Sequence, residues 1–234
     1  MKMKDKKTEQ ITARQKHKDQ LKANRRAESN FDRSKPLLAE KPTILIVCEG
    51  ENTEPSYFKQ FRLSSATIKP VGEGYNTLSL VNRAIQLKKE GSYDQVWCVF
   101  DKDDFSDVNF NNAIQIATVN GLEAAYSNQA FEYWVILHFD DHQGGQMHRD
   151  DYNDKLNKLL KPYNVTYDGK NSKIITEEIF ELLDGMDEKT KKERKQLAIN
   201  RAERNYNQFN HTNPAKEESS TTVFKLVKEL LKYI

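Results

Sequence analysis

The sequence predicts an α/β fold built around a mostly parallel sheet, and three observations carry that prediction. Ile44-Leu45-Ile46-Val47-Cys48 is an unbroken apolar run, mostly β-branched. It is too short for a helix of its own and reads as a strand buried on both faces. Gln95-Val96-Trp97-Cys98-Val99-Phe100 repeats the pattern. Segments of helical spacing lie between such runs, which implies βαβ units with right-handed crossovers.

Taken in order, residues 1–40 come first and are set apart by charge. They hold twelve Lys or Arg against six Asp or Glu, a net +6. The whole chain of 234 residues carries +2, so the remainder is about −4. This tract is too polar to order itself and is expected to be a basic arm, either merely solvated or steering nucleic acid. Within it, Glu9 to Ala27 is able to form a polar helix once docked. The hydrophobic fraction of 37% and mean hydropathy of −0.85 are low, in keeping with a chain that includes tail or exposed helix.

The first strand ends at Glu49-Gly50, and a helix runs from Pro55 to Leu63. Thr67 to Gly72 reads as an edge strand, because Pro70 cannot donate to a ladder. Asn76 or Thr77 caps a helix whose apolar positions are Leu78, Val81, Ile85 and Leu87, ended by Gly91. The strand to Phe100 follows, then a helix from Phe110 to Asn120 closed by Gly121. Leu122 to Tyr126 is a fourth strand, ending in Ser127-Asn128. Ala130 to Phe139 is apolar nearly all round and reads as a buried helix. After a polar loop from Asp140 to Asp150 come helices near Asp151–Leu160, Ile174–Leu183, Lys189–Phe209 and Thr222–Tyr233, with Asn164–Tyr167 as a possible strand. The expected organisation is an arm over 1–40, an α/β core over 41–140 and a helical C-terminal region over 141–234 packed on it.

Cys48 and Cys98 fall in the middle of predicted buried strands and are read as free thiols of a reducing compartment. No secretory leader and no membrane-spanning run is evident, so the chain is expected to be cytoplasmic, without a membrane partner.

Both buried strands end in acids: Glu49 after the first, Asp101-Lys102-Asp103-Asp104 after the other. Open α/β sheets place ligands at the carboxyl ends of their strands. Two carboxylates about 4 Å apart repel by roughly 4 kcal/mol at an effective dielectric near 20. Gathering Glu49, Asp101 and Asp103 therefore calls for a hard divalent cation, or leaves one of them protonated. Asp101 and Asp103, two apart, would face the same side if the backbone stays extended. The competing reading is a plain acidic turn or helix cap.

The strings Glu49-Gly50-x-x-Thr53-Glu54-Pro55-x-Tyr57-Phe58, Trp97-Cys98-Val99-Phe100-Asp101-Lys102-Asp103 and Ala125-Tyr126-Ser127-Asn128-x-x-Phe131-Glu132-x-Trp134-x-x-Leu137-His138-Phe139 resemble the RloB-like family. The resemblance covers roughly residues 42–140. It resumes at Asn213-Pro214 and Ser220-Thr221-Thr222-Val223. That family is associated with restriction-linked loci and phage defence, including abortive infection, and with Toprim-type catalytic domains. The resemblance implies a Toprim-like, Rossmann-like three-layer fold and a Mg2+- or Mn2+-dependent nuclease. By position Glu49 would be a metal ligand or general acid/base, Asp101 and Asp103 the metal pair, and Glu54 the holder of a second metal. Glu132 would join them, unless it only complements the dipole of its helix. Two departures stand out: Gln129-Ala130 replaces a frequent Pro-Cys, and Ala215 to Ser219 is inserted before Ser220.

Lys102 is read as meeting a phosphate or a neighbouring acid. Lys191 and Arg194 lie in a charged run that is either a solvated helix face or a contact to phosphate backbones. His138 and His142 have zinc-compatible spacing but no third ligand, so structural roles are expected. Gly72-Glu73-Gly74 lacks a nucleotide-binding spacing. Expected partners are DNA or RNA, other proteins of a defence locus and a second copy in a homodimer. Two other functions fit the same acids: a non-catalytic binding component of a defence complex, and another Mg2+-dependent phosphoryl or nucleotidyl transferase.

Overall fold

The computed structural model describes residues 12–23, 41–70, 77–143, 145 and 147–234. The expected cap at Asn76, the Val71-Gly72 end of the edge strand, Gly72-Glu73-Gly74, Gly144 and the arm outside 12–23 lie outside the described residues. The chain divides into two compact units, Met1–Glu40 and Lys41–Ile234. Within the first, residues 12–23 form a helix, α1, exposed along its whole length.

The second unit is an α/β structure on a five-stranded sheet of order β2-β1-β3-β4-β5. β1 (Ile44–Cys48), β2 (Ala66–Pro70), β3 (Gln95–Asp101) and β4 (Glu123–Asn128) are parallel. β5 (Ser220–Thr221) pairs antiparallel with the end of β4. β2 is at the edge, where its proline is tolerated. All five β1 residues are buried, as an interior parallel strand requires.

The connections are helical. α2 (Thr53–Lys59), α3 (Thr77–Glu90), α4 (Asp107–Val119) and α5 (Glu132–Ile136) follow the first four strands. Ser106 caps α4 by accepting from the Asn109 N–H at 3.3 Å. Gly121 closes the turn after it at φ 65°, a left-handed conformation that costs glycine little. α6 (Arg149–Leu160), α7 (Glu177–Asp184), α8 (Arg194–Tyr206) and α9 (Val223–Leu230) make up the C-terminal part.

Alternation along the strands separates two apolar cores. Ile44, Ile46, Cys48, Trp97, Val99 and Ala125 face one, which α2 and α5–α9 cover with Tyr57, Trp134, Leu156, Ile179, Ala198 and Val227. Leu45, Val47, Cys98, Phe100 and Tyr126 face the other, beneath α3 and α4. Neighbouring in the sheet, Cys48 and Cys98 therefore point to opposite faces, and both are free and buried. Burial pushes the Cys98 thiol up to about 12 and raises Cys48, where the Glu54 charge adds to the rise.

Three expectations are corrected. Asn164–Tyr167 is not a strand: the Asn157 side chain takes the place of a strand partner, accepting from the Tyr167 N–H at 2.8 Å and donating to its carbonyl at 2.9 Å. The helix read from Lys189 starts only at Arg194. Before it, Asp187 Oδ2 accepts from both the Thr190 N–H and its hydroxyl at 2.7 Å, Lys191 takes φ 57°, and Met186 bridges Glu193. The face that α3 buries runs through Thr77, Leu80, Val81 and Ala84, with Leu78, Ile85 and Leu87 only partly covered. Among the described residues no helix is long and apolar enough to cross a membrane.

At the opposite end of the sheet from the acids, Glu229 ties α9 to the start of β3. It accepts from Gln95 Nε2 at 2.8 Å and Tyr233 OH at 2.7 Å, and pairs with Lys232. Burial alone would raise its pKa, but these donors outweigh that and bring it down to about 2. A carboxylate depressed on folding stabilises above its unfolded value and loses that contribution as pH falls through the folded one. Wild type should exceed Glu229→Gln by on the order of 3 kcal/mol near neutral pH, the gap closing between about pH 4.5 and pH 2. Urea unfolding of both proteins across that range checks it; a gap independent of pH would contradict it.

Candidate functional site

β1 and β3 run side by side in parallel, so their carboxyl ends share one rim. The Glu49 N–H continues the ladder to the Val99 carbonyl at 2.9 Å, and Glu49 Oε2 accepts from the Asp101 N–H at 3.3 Å. Asp101, 7% exposed, accepts at Oδ2 from the Phe131 N–H at 3.1 Å. Glu49 and Asp101, distant in the chain, thus meet at one rim, through the carboxylate of the first and the backbone N–H of the second. The next residue after Phe131 is Glu132, so Asp101 and Glu132 are joined through a single backbone step at the start of α5.

Glu132 is buried and accepts from the Tyr167 hydroxyl at 2.7 Å. Tyr167 also lies 3.1 Å from Thr53 Oγ1. The phenol proton is given to the carboxylate, so Thr53 is the donor to Tyr167. Burial and then the Glu132 charge push the Tyr167 phenol far up, with Glu54 contributing further. Glu54, buried at the start of α2, folds against Gly50: a Cβ at position 50 would run into Glu54 Oε2. The lack of a side chain at position 50 leaves room for the Glu54 carboxylate in this arrangement. Burial pushes the Tyr152 phenol up to about 12; its bond with Ser219 opposes the rise, and the Glu218 and Asp101 charges add to it.

Asp103 departs from expectation. β3 ends at Asp101, and Asp103 takes φ 40° while its N–H donates to the Gln129 carbonyl at 3.0 Å. The same-side argument needed extended backbone through residue 103, and the chain turns first. Asp103 instead lines a pocket of about 310 Å³ with Asp104, Phe105 and Gln129. Among the described residues no three His, Cys, Asp or Glu side chains are gathered so as to hold a metal ion. The donor chemistry of Glu49, Glu54 and Asp101 is nonetheless all hard oxygen, which suits Mg2+ or Mn2+. Mg2+ also needs only one or two carboxylates when substrate phosphate and water supply the rest.

The basic residues are placed differently from one another. Lys102, on the α4 side of the sheet, is 7% exposed; its ammonium donates to the Phe105 carbonyl at 2.5 Å and pairs with Asp107 at 3.3 Å. Arg194 is also interior, donating to the Leu182 carbonyl at 2.9 Å and the Tyr163 hydroxyl at 2.7 Å beneath the rings of Phe139 and Tyr163. Both are occupied with internal partners: Lys102 meets a neighbouring acid, one of its two readings, and Arg194 lies in the interior and not on a solvated helix face. Lys191 is exposed. His138 is fully buried, its Nδ1 donating to the Trp134 carbonyl at 3.0 Å, and burial lowers its pKa to about 3. His142 accepts at Nδ1 from Lys155 at 3.2 Å.

Two contributions at this rim were not foreseen. Tyr167 bonds Glu132 while Asn157 of α6 clamps its backbone, contacts no local pattern announces. Ser220-Thr221 forms β5 beside Ser127 and Asn128, with Ser127 Oγ 3.0 Å from Thr221 Oγ1 and the Tyr126 N–H donating to Thr222 Oγ1 at 2.8 Å. The insertion before Ser220 therefore leaves that segment at the sheet, next to the partner strand of Asp101.

A family model described as RloB-like protein matches residues 44–230. Neither a curated protein nor a solved structure matches the chain. The family match runs through the helical C-terminal part as well as the two stretches whose motifs suggested it. It covers most of the sequence: the chain belongs to the RloB-like protein family.

Proposed function

We propose that this protein is a Toprim-type, Mg2+- or Mn2+-dependent nuclease acting in phage defence, by abortive infection. The observation that carries the reading is the bond from the Asp101 N–H to Glu49 Oε2, which joins two strand-end acids at one rim. In this reading Glu49 and Asp101 hold the ion, Asp103 assists from the pocket wall and Glu54 serves a second ion. Bound there, the metal would polarise the scissile phosphate and supply a nucleophilic water at neutral pH. Glu132, kept in place by the Tyr167 hydroxyl and adjacent to the Phe131 whose N–H bonds Asp101, is the general acid/base of this reading. The basic arm draws in DNA or RNA, helped by Lys191, while Lys102 and Arg194 act by holding the scaffold. A cytoplasmic homodimer working with other proteins of its locus completes the proposal.

Calorimetric titration with Mn2+, followed by cleavage assays on single-stranded and duplex DNA and RNA with metal or EDTA, tests this. Saturable Mn2+ binding and EDTA-sensitive cleavage are expected. A second reading, a non-catalytic nucleic-acid- or partner-binding component, is favoured by the lack of a three-carboxylate group among the described residues. Oligonucleotide binding without any saturable metal site would select it. Transfer of nucleotides in place of strand cleavage would instead select a nucleotidyl transferase.

A further inference from the structure

We propose that the pocket beside the acidic rim takes one unpaired nucleobase of a single-stranded nucleic acid, stacked on Phe105. This rests on the nuclease reading and names its substrate class. The pocket, about 310 Å³, is lined by Asp103, Asp104, Phe105 and Gln129. That is the lower end of the ligand-pocket range of about 300–1,000 Å³.

Phe105 is half-buried, and among the described residues it belongs to neither apolar core and stacks on no other ring. Its position is nevertheless tightly fixed. The Phe105 N–H donates to the Lys102 carbonyl at 3.2 Å, and Lys102 Nζ donates back to the Phe105 carbonyl at 2.5 Å. Asp107 neutralises that buried ammonium at 3.3 Å. The facing wall is held as well: the Asp103 N–H donates to the Gln129 carbonyl at 3.0 Å, and Gln129 Nε2 to Glu218 Oε1 at 2.8 Å. A buried lysine is costly, and here it fixes the backbone that carries an aromatic residue of a polar pocket.

The lining chemistry selects the occupant. Asp103 and Asp104 repel phosphates and acidic peptides, so the sugar–phosphate chain is kept out and a neutral planar group is favoured. Phe105 offers a face for stacking, which every base can use. The oxygen-rich wall favours bases that present amino donors (adenine, cytosine, guanine). A base reaches the pocket only when unpaired, which sets single strands above duplexes. Another pocket, about 510 Å³ and lined by Asp154, Asn157, Lys158, Lys161, Asn164, Val165 and Thr166, has no ring in its wall.

Fluorescence anisotropy of the full chain in Ca2+ buffer tests the idea, with labelled short oligonucleotides of one sequence as RNA and DNA, single-stranded and duplex. Wild type should bind single strands more tightly. Phe105→Ala should weaken that binding by about 5- to 100-fold, the range of one base–aromatic stack. Phe105→Tyr should retain it, and duplex binding should be unaffected by either. Where Phe105→Ala fails to fold, Phe105→Leu keeps the apolar bulk and should show the same loss. Wild-type affinity for single strands in Phe105→Ala or Phe105→Leu, an equal loss for duplex, or no binding by wild type would overturn the proposal. Cleavage assays on wild type separate the two readings. No cleavage of any strand with Mg2+ or Mn2+, with the Phe105 effect on binding intact, removes the nuclease reading and leaves the pocket standing.

Discussion

Asp101→Asn should lose metal-dependent cleavage by about 10²- to 10³-fold, with little change in stability. A metal ion contributes several kcal/mol to stabilising charge in phosphoryl chemistry, and each 1.36 kcal/mol is tenfold in rate. Asparagine keeps an oxygen that can accept from the Phe131 N–H, so the start of α5 is still held while the negative charge is gone. Glu49→Gln follows the same logic, since an amide oxygen can still take the Asp101 N–H. Both variants should keep oligonucleotide binding and lose Mn2+ affinity in titration. Asp103→Asn is the informative contrast. Asparagine tolerates the positive φ at this position, and the residue lines the pocket. Its rate loss should be smaller than that of Asp101→Asn. Wild-type cleavage by both Glu49→Gln and Asp101→Asn would end the case for this rim as the catalytic centre.

Arg194→Ala should cost about 3–5 kcal/mol of stability and lower Tm by about 10 °C. Its guanidinium binds a carbonyl in the last turn of α7 and a phenol of the 161–163 turn, and lies over two rings. Its own N–H donates to the Gly185 carbonyl, so the start of α8 is fastened to the end of α7. Removing the side chain leaves buried acceptors unpaired, at about 1–3 kcal/mol each, and forfeits the cation–π contacts. Arg194→Lys should recover only part, because a lysine cannot make the same fork or stack. Exposed Lys191→Gln should stay within about 0.5 kcal/mol of wild type. Thermal melts of the three proteins decide it; a wild-type melt for Arg194→Ala would refute the interior role.

The legible parts of this fold were those where one physical demand dominates. β1 and β3 are buried on both faces, so they read as unbroken apolar runs, and the acids that end them were easy to see. Glu49 and Asp101 could be placed together because parallel strands share a carboxyl end. Asp103 could not, since a single left-handed residue cancels a two-residue alternation and leaves no trace in composition. β5 was hidden for a different reason. Ser220 and Thr221 are held by hydroxyl and backbone bonds to residues near position 127, and two polar residues carry no periodicity. The charged run 189–195 looked like one helix face, yet Asp187 folds its first half into a capped loop and the interior claims Arg194 and Lys195. Charge counts alone do not reveal a lysine or arginine that has found its acceptors indoors.

The two native thiols have a practical consequence. Each lies deep under a different layer of helices, with its thiolate disfavoured by burial. Thiolate is the reactive form, so maleimide dyes should leave the unaltered chain unlabelled. A cysteine introduced at an exposed position such as Asn200 would then take up the fluorophore alone, giving a single-probe protein without first removing Cys48 or Cys98.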